Sequence, residues 1–363
     1  MATAKDYNIL EIISEMEIDF VDRIRRHERK YIELGYEDWK RMQLREMKRF
    51  REEVREMCEE YSKAFKAGTE YDLRAEYMKY KISEASKILK AWPAAKAKLT
   101  REWAHSINDK RMIAMINAIH RDYDNAIFSL YRQSDDIYRG LIYKSSAMVN
   151  SGSYDLVTAI DTANRGAFSQ GVRSVPYYSH KTGDVLFYMP VRSYLEMATR
   201  TNSQRAAAEG RAMVRDQIGV YTVRVSYHNG CCPKCAPHQG QIYFDDVYCA
   251  SAVRNKDNEQ YPALSEAIDE GLLHPNCRHS LATYDPAFSL VDDNEVKEYT
   301  EEDEKRYKAE QEQRAIEREI RKAKREAVGT IGGNKKVQDL QAKLREHLDE
   351  NPKLARKYWR ERD

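Results

Sequence analysis

The sequence predicts a mostly helical α+β protein. Three observations carry that reading. Residues 5 to about 150 contain almost no glycine and repeat their apolar positions at helical spacing. Glycines, prolines and β-branched runs gather between about residues 150 and 290. Dense mixed charge returns after Pro286. The expected division is a helical region over 1–149, a small α+β domain over 150–290 and a charged helical tail over 291–363.

The N-terminal helices come first. From Trp39 the apolar positions run Met47, Phe50, Val54, Met57, Tyr61, and after Met47 the steps are three, four, three, four, the seam of a coiled-coil or bundle helix. Gly68 and Thr69 predict a break, and Pro93 in "KAWPAAKAKL" a helix boundary. The stretch "DKRMIAMINAIHRDYDNAIFSLYRQSDDIYRGLIYKSS" predicts another long amphipathic helix whose aromatics serve as core.

In the central region "KTGD" predicts a turn and "DVLFYM" a strand. "VRSYLEMATRTNSQRAAAEGRAMVRDQIG" predicts a helix capped by Gly219. "VYTVRVSYH" alternates as a strand and feeds into "HNGCCPKCAPHQGQIY". Beyond Pro286, "YTEEDEKRYKAEQEQRAIEREIRKAKREAVG" has acids early and bases late, as the helix dipole favours. Gly332, Gly333 and Asn334 predict a hinge before a last helix that breaks near Pro352.

Charge narrows the function classes. Lys and Arg number 61 against 59 Asp and Glu, a net +2, so no global basic face calls for nucleic acid. The basic end with Tyr358 and Trp359 leaves a local contact with DNA open, although a solvated helix end explains it as well. Acids interrupt the apolar start, so no signal peptide is expected. No run of 18 apolar residues exists, so no membrane span is expected.

Nine of the chain's fifteen Cys and His residues lie between His228 and His279. Five of the six cysteines sit in that region, a local pattern that fits a metal site in a reduced compartment better than a disulfide scaffold. Cys232-Pro-Lys-Cys235 lets two thiolates face one tetrahedral ion from a tight turn. "HPNCRH" offers His274, Cys277 and His279 as the second half-site. The first choice of ligands is Cys232, Cys235, Cys277 and His279, binding structural zinc. His274 and His228 are alternates, and Cys231 could replace Cys232 with looser geometry. Cys249 and the lone Cys58 read as small buried apolar residues. Ordinary free thiols and core histidines are the competing explanation. A redox C-x-x-C lacks the helix that should follow its first cysteine. A catalytic zinc lacks an H-E-x-x-H or H-x-E signature. The nearest enzymatic likeness is an HNH-type nuclease, which Asn276-Cys277-Arg278-His279 matches only as a fragment.

Three segments, in order, carry a family resemblance. They are "MATRTNSQRAAAEG" followed by "VSYHNG", then "HQGQIY" with "HPNCRHSL", then "YTEEDEKRYKAEQEQRAIEREIRKAKR". These resemble the minor capsid protein 2 family of tailed bacteriophages, related to Mu-type and Gram-positive-phage head morphogenesis proteins. The resemblance covers roughly residues 140 to 327. One departure stands out: the minor-capsid branch has Arg-Pro-x-His where this chain has Cys232-Pro-Lys-Cys235. The Mu-related branch carries C-x-x-C there and His-Pro-x-Cys-Arg-Cys later. This chain blends the two, with His279 in the last position, and His228 matches the first histidine of the minor-capsid branch.

The resemblance implies a minor head protein of the virion, present in few copies and made in the host cytoplasm. Portal protein and capsid subunits are the implied partners. A second copy of the chain or packaged DNA are further possible contacts. The competing class is a zinc-dependent nuclease or a virion-carried effector enzyme. The heptad-patterned helix of residues 36–67 and the charged helix of residues 296–327, which has few apolar anchors, cannot bury their apolar stripes within a small zinc domain. Each is expected to seek a partner, whether one another, a second copy or the portal, with the N-terminal region mediating the docking.

Overall fold

The computed structural model describes residues 9–105, 109–169, 171–178, 182–228, 230–275, 277–289, 299–327 and 334–361. It is largely helical with small antiparallel sheets, the expected α+β class. Gly332 and Gly333 of the expected hinge, and Lys181 of the expected turn, lie outside the described residues. Among the described residues no helix is long and apolar enough to cross a membrane.

The helices are α1 (Ile9–Glu28), α2 (Tyr36–Ala91), α3 (Arg101–His105), α4 (Asp109–Asn150), α5 (Leu156–Phe168), α6 (Val191–Ile218), α7 (Leu264–Asp269), α8 (Glu301–Ala327) and α9 (Asn334–Glu350). The strands are β1 (Arg173–Tyr178), β2 (Val185–Pro190), β3 (Thr222–Val225), β4 (Ile242–Phe244), β5 (Leu281–Asp285) and β6 (Phe288–Ser289). By compactness the chain falls into two units. One unit comprises Met1–Gly68, Ala118–Glu196 and Glu312–Asp363; the other comprises Thr69–Asn117 and Met197–Gln311.

Two expectations about α2 need correction. The helix runs through Gly68 and Thr69 without a break. One glycine costs a helix about 1 kcal/mol, which burial of Phe65 and Leu73 on either side outweighs. The apolar stripe is also not left for an outside partner. In the first unit Phe50 stacks on Tyr138 (centroids 4.4 Å), the Cys58 thiol points at the Ile127 carbonyl (3.6 Å), and Phe65 meets Tyr123 edge-on (4.6 Å). Later α2 residues meet earlier α4 residues, so the two helices pack antiparallel. Phe50, Val54 and Met57 are fully buried, while Met47 and Tyr61 are half-buried. From Cys58 the buried positions step to Ser62, Phe65, Thr69, Leu73, Tyr77 and Lys81, longer steps than a heptad seam keeps. Burial also pushes the Cys58 thiol up to about 12.

A polar knot ties the helix ends of this unit together. The indole of Trp39 donates to the Glu28 carbonyl (2.7 Å), Gln43 donates to the carbonyls of His27 (3.0 Å) and Lys30 (2.8 Å), and the Tyr138 hydroxyl donates to Gln43. The Glu28 carboxyl is fully buried and accepts one bond from Asn164 (2.6 Å). Burial pushes its pKa up to about 8 from about 4.5, against the pull of the Asn164 bond. The stability that the protonated acid contributes is complete below pH 4.5. It falls as the unfolded chain ionises and is lost once pH passes 8. Glu28→Gln should therefore gain stability over wild type between pH 5 and pH 8, on the order of 4 kcal/mol in full. Denaturant titrations of both proteins across that range check this; a gap that does not widen with pH refutes it.

The same unit holds the β1–β2 hairpin, in which Val185, Leu186, Phe187 and Tyr188 are all exposed. Ile316 and Ile320 of α8 pack on Leu344 of α9. Two arginines of the basic end are engaged: Arg356 pairs with Glu361 (2.7 Å) and Arg360 with Glu317 (3.5 Å).

In the second unit β4, β3, β5 and β6 form an antiparallel sheet in that order. The C-terminal half of α6 buries Val214 and Ile218 against Ala85 and Ile88 of α2. Gly219 ends α6 at φ +80°, its N–H on the Arg215 carbonyl (2.8 Å), the expected cap. The two helices nearly touch at Gly210, where a Cβ would overlap the Tyr77 carbonyl oxygen and crowd the Lys81 nitrogen at 3.2 Å. Glu84 of α2 accepts from the Thr283 amide (3.0 Å) and hydroxyl (2.6 Å), fastening the helix to β5.

Candidate metal centre

Strand β3 is buried along its whole length and carries the chain into the first half-site. There the amides of Cys235 (3.1 Å) and Ala236 (3.0 Å) both donate to the Cys232 carbonyl. That tight turn brings the Cys232 and Cys235 sulfurs to one side, which an extended segment would not do. The second half-site repeats the device, with the Cys277 amide on the His274 carbonyl (2.8 Å). Strand β5 starts just beyond it and pairs with β3, Val225 opposite Leu281. Strand pairing thus closes the long gap between Cys235 and Cys277.

Two donor groups result. Cys232, Cys235 and His274 form one; Cys235, Cys277 and His279 form the other, and all three of its members are buried. Cys235 Sγ lies 3.7 Å from Cys277 Sγ, Cys277 Sγ 3.3 Å from His279 Nδ1, and Cys232 Sγ 3.0 Å from His274 Nε2. Two thiolates at about 2.3 Å from one tetrahedral ion stand about 3.8 Å apart, so the Cys235–Cys277 spacing fits a shared ion. The electrostatics agree. The two thiols are pushed apart: the hydrogen bond from Cys235 lowers the Cys277 thiol, helped by His279, and Cys277 and burial raise Cys235. A divalent cation in their midst would displace the thiol protons and hold both as thiolates. These buried groups could hold a metal ion.

The surrounding chain is matched by the family model for phage minor capsid protein 2 over residues 4–350. The chain belongs to that family. A phage minor capsid protein is a structural protein of the phage head, and its place is the virion. No curated protein and no solved structure matches the chain.

In this minor capsid protein the first-choice residues divide between the two groups, which share Cys235: Cys277 and His279 fall in one, and Cys232 joins the alternate His274 in the other. His228 is in neither donor group; its ring lies against that of His279 (centroids 4.3 Å). Cys231 is buried, its sulfur 3.5 Å from His279 Nε2. Burial pushes its thiol up to about 12. Cys249 is buried as expected, but against the Asp245 carboxylate (3.3 Å) as well as apolar groups. His238 is a core histidine bonded to the Tyr243 hydroxyl (2.7 Å).

Several supporting residues escape sequence reading. The Gln204 amide of α6 donates to the Cys277 carbonyl. Arg278 pairs with Glu310 of α8 (3.1 Å), and Tyr299 packs against the Cys/His core. Gln239 accepts from the His228 amide (3.1 Å) and lies 3.1 Å from His279 Nε2. The apolar core around the centre is small, chiefly Val223, Val225, Leu264, Leu272 and Leu281. A core of that size stabilises a fold only modestly, which gives a bound ion thermodynamic work to do.

Proposed function

We propose that this protein is a minor component of the phage head that sits near the portal, acts in head assembly and contains one structural zinc ion. The observation that carries the reading is the family match along nearly the whole chain. Cys232, Cys235, Cys277 and His279 hold the ion, with His274 as the alternate fourth ligand. A donor set rich in thiolates favours zinc over hard cations. His279 is preferred because it is buried while His274 is half-exposed. Four protein ligands leave no position for a reacting water, so the ion stabilises the fold and the protein is not an enzyme. Portal and capsid subunits are the partners, met by surfaces other than the internal α2 stripe.

The test has two arms. Mass spectrometry of purified virions should find the protein at low copy, and the full-length chain should co-purify with portal protein. Absence from the particle, or capture by neither portal nor capsid subunits, refutes the assembly role. The second arm incubates DNA with the chain and zinc, magnesium or manganese, with no cleavage expected. Divalent-dependent cleavage that disappears in His279→Ala would replace this reading with the nuclease alternative.

A further inference from the structure

We infer that Gln239 is the positioning residue that makes His279 a metal ligand, an inference that rests on the zinc reading above. The backbone N–H of His228 can only donate, and the atom facing it at 3.1 Å is Gln239 Oε1. That contact fixes the amide the right way round, carbonyl oxygen inward. The same oxygen lies 3.1 Å from His279 Nε2. A carbonyl oxygen only accepts, so the ring hydrogen is on Nε2. A neutral imidazole then carries its lone pair on Nδ1, the nitrogen 3.3 Å from Cys277 Sγ.

The neighbours agree with that assignment. Cys231 directs its S–H to the Cys232 carbonyl (3.2 Å) and presents its sulfur to His279 Nε2, where it too accepts. The His279 amide donates to Cys277 Sγ (3.4 Å), a bond that favours the thiolate. Gln239 itself cannot drift. It follows a 3₁₀ turn over Ala236–His238, and the next residue, Gly240, at φ +73°, donates to the Val225 carbonyl (3.0 Å). Gln239 and His279 are both buried, so water has poor access to replace the acceptor. Remove that acceptor and only the weaker, longer Cys231 sulfur contact remains at Nε2, so the ring can place its hydrogen on Nδ1 instead. It then donates to the Cys277 sulfur and offers no lone pair to the ion.

Outer partners of this kind affect metal affinity by about 10- to 100-fold. The experiment uses the full-length protein, zinc affinity measured by chelator competition, and the absorption spectrum of the cobalt-loaded form. Gln239→Leu should weaken zinc by about 10- to 100-fold and alter the cobalt bands, with far-UV circular dichroism unchanged. Gln239→Glu keeps an acceptor and should restore near wild-type affinity. In a His279→Cys background there is no ring to orient, so adding Gln239→Leu should change nothing further. The inference fails if Gln239→Leu binds like wild type, if Gln239→Glu does not recover, or if the loss persists in the His279→Cys background. A wild-type chain that takes up neither zinc nor cobalt overturns the metal reading itself, and this inference with it.

Discussion

Cys277→Ser should abolish metal retention and cause the largest loss of stability of any single change in the chain. Wild-type protein is expected to carry one zinc per chain by elemental analysis. Cys277 belongs to the fully buried donor group and stands against both Cys235 and His279. A serine hydroxyl is a poor zinc ligand at neutral pH, and three remaining donors do not close a tetrahedron. Structural zinc sites in small peptides bind with roughly 10–16 kcal/mol. Here part of that is replaced by the apolar core, so the loss is smaller but still dominant. Cys232→Ser should behave alike. Cys58→Ser is the control: that thiol lies in the other unit, against the Ile127 carbonyl, and its loss should leave the metal in place. Stoichiometric metal in both Cys277→Ser and Cys232→Ser would show the ligands to be misassigned.

Arg215→Met should rank second. Arg215 and Asp245 are fully buried and directly paired, and Asp245 also accepts from the Tyr248 amide (2.9 Å) and the Cys249 thiol (3.3 Å). Burial alone would raise the Asp245 carboxyl, but the Arg215 charge and these bonds hold it below the usual carboxylate range. Removing the guanidinium leaves a carboxylate without its counter-charge, a loss of about 3–5 kcal/mol. The double variant Arg215→Met, Asp245→Leu should recover much of this, because the pair itself costs desolvation. Chemical denaturation of the four proteins in the cycle checks it. A double variant no more stable than Arg215→Met alone would show that the pair's worth is not electrostatic.

Local rules were enough for much of this fold. Apolar spacing marked α2 and α4, Pro93 marked the end of α2, Gly219 marked the end of α6, and alternation marked β3. The C-x-x-C turn and the "HPNCRH" string marked the two segments that supply the candidate donor groups, since ligand chemistry demands those residue types close together. What stayed hidden depends on partners distant in the chain. Nothing local says that Phe50 will find Tyr138, so the stripe read as a docking surface. Gly68 carries a turn-like signal that only the packing of its helix overrides. Gln239 looks like any loop glutamine until β3 pairs with β5 and sets His279 beside it. Arg215 and Asp245 are 30 residues apart, on a helix and just past a strand, and each alone reads as a solvated charge.

The near-contact at Gly210 makes α6 a helix without clearance. Upstream on that helix Gln204 reaches the Cys277 carbonyl; downstream Arg215 meets Asp245. Any side chain at position 210 would act as a wedge against the α2 backbone and displace the span on which both contacts depend. The width of one methyl group therefore sets the alignment of the thiolate turn and of the buried ion pair together. Drift at position 210 in descendants of this sequence would require compensating change in α2 itself, because the obstacle is a main-chain oxygen that no substitution at Tyr77 removes.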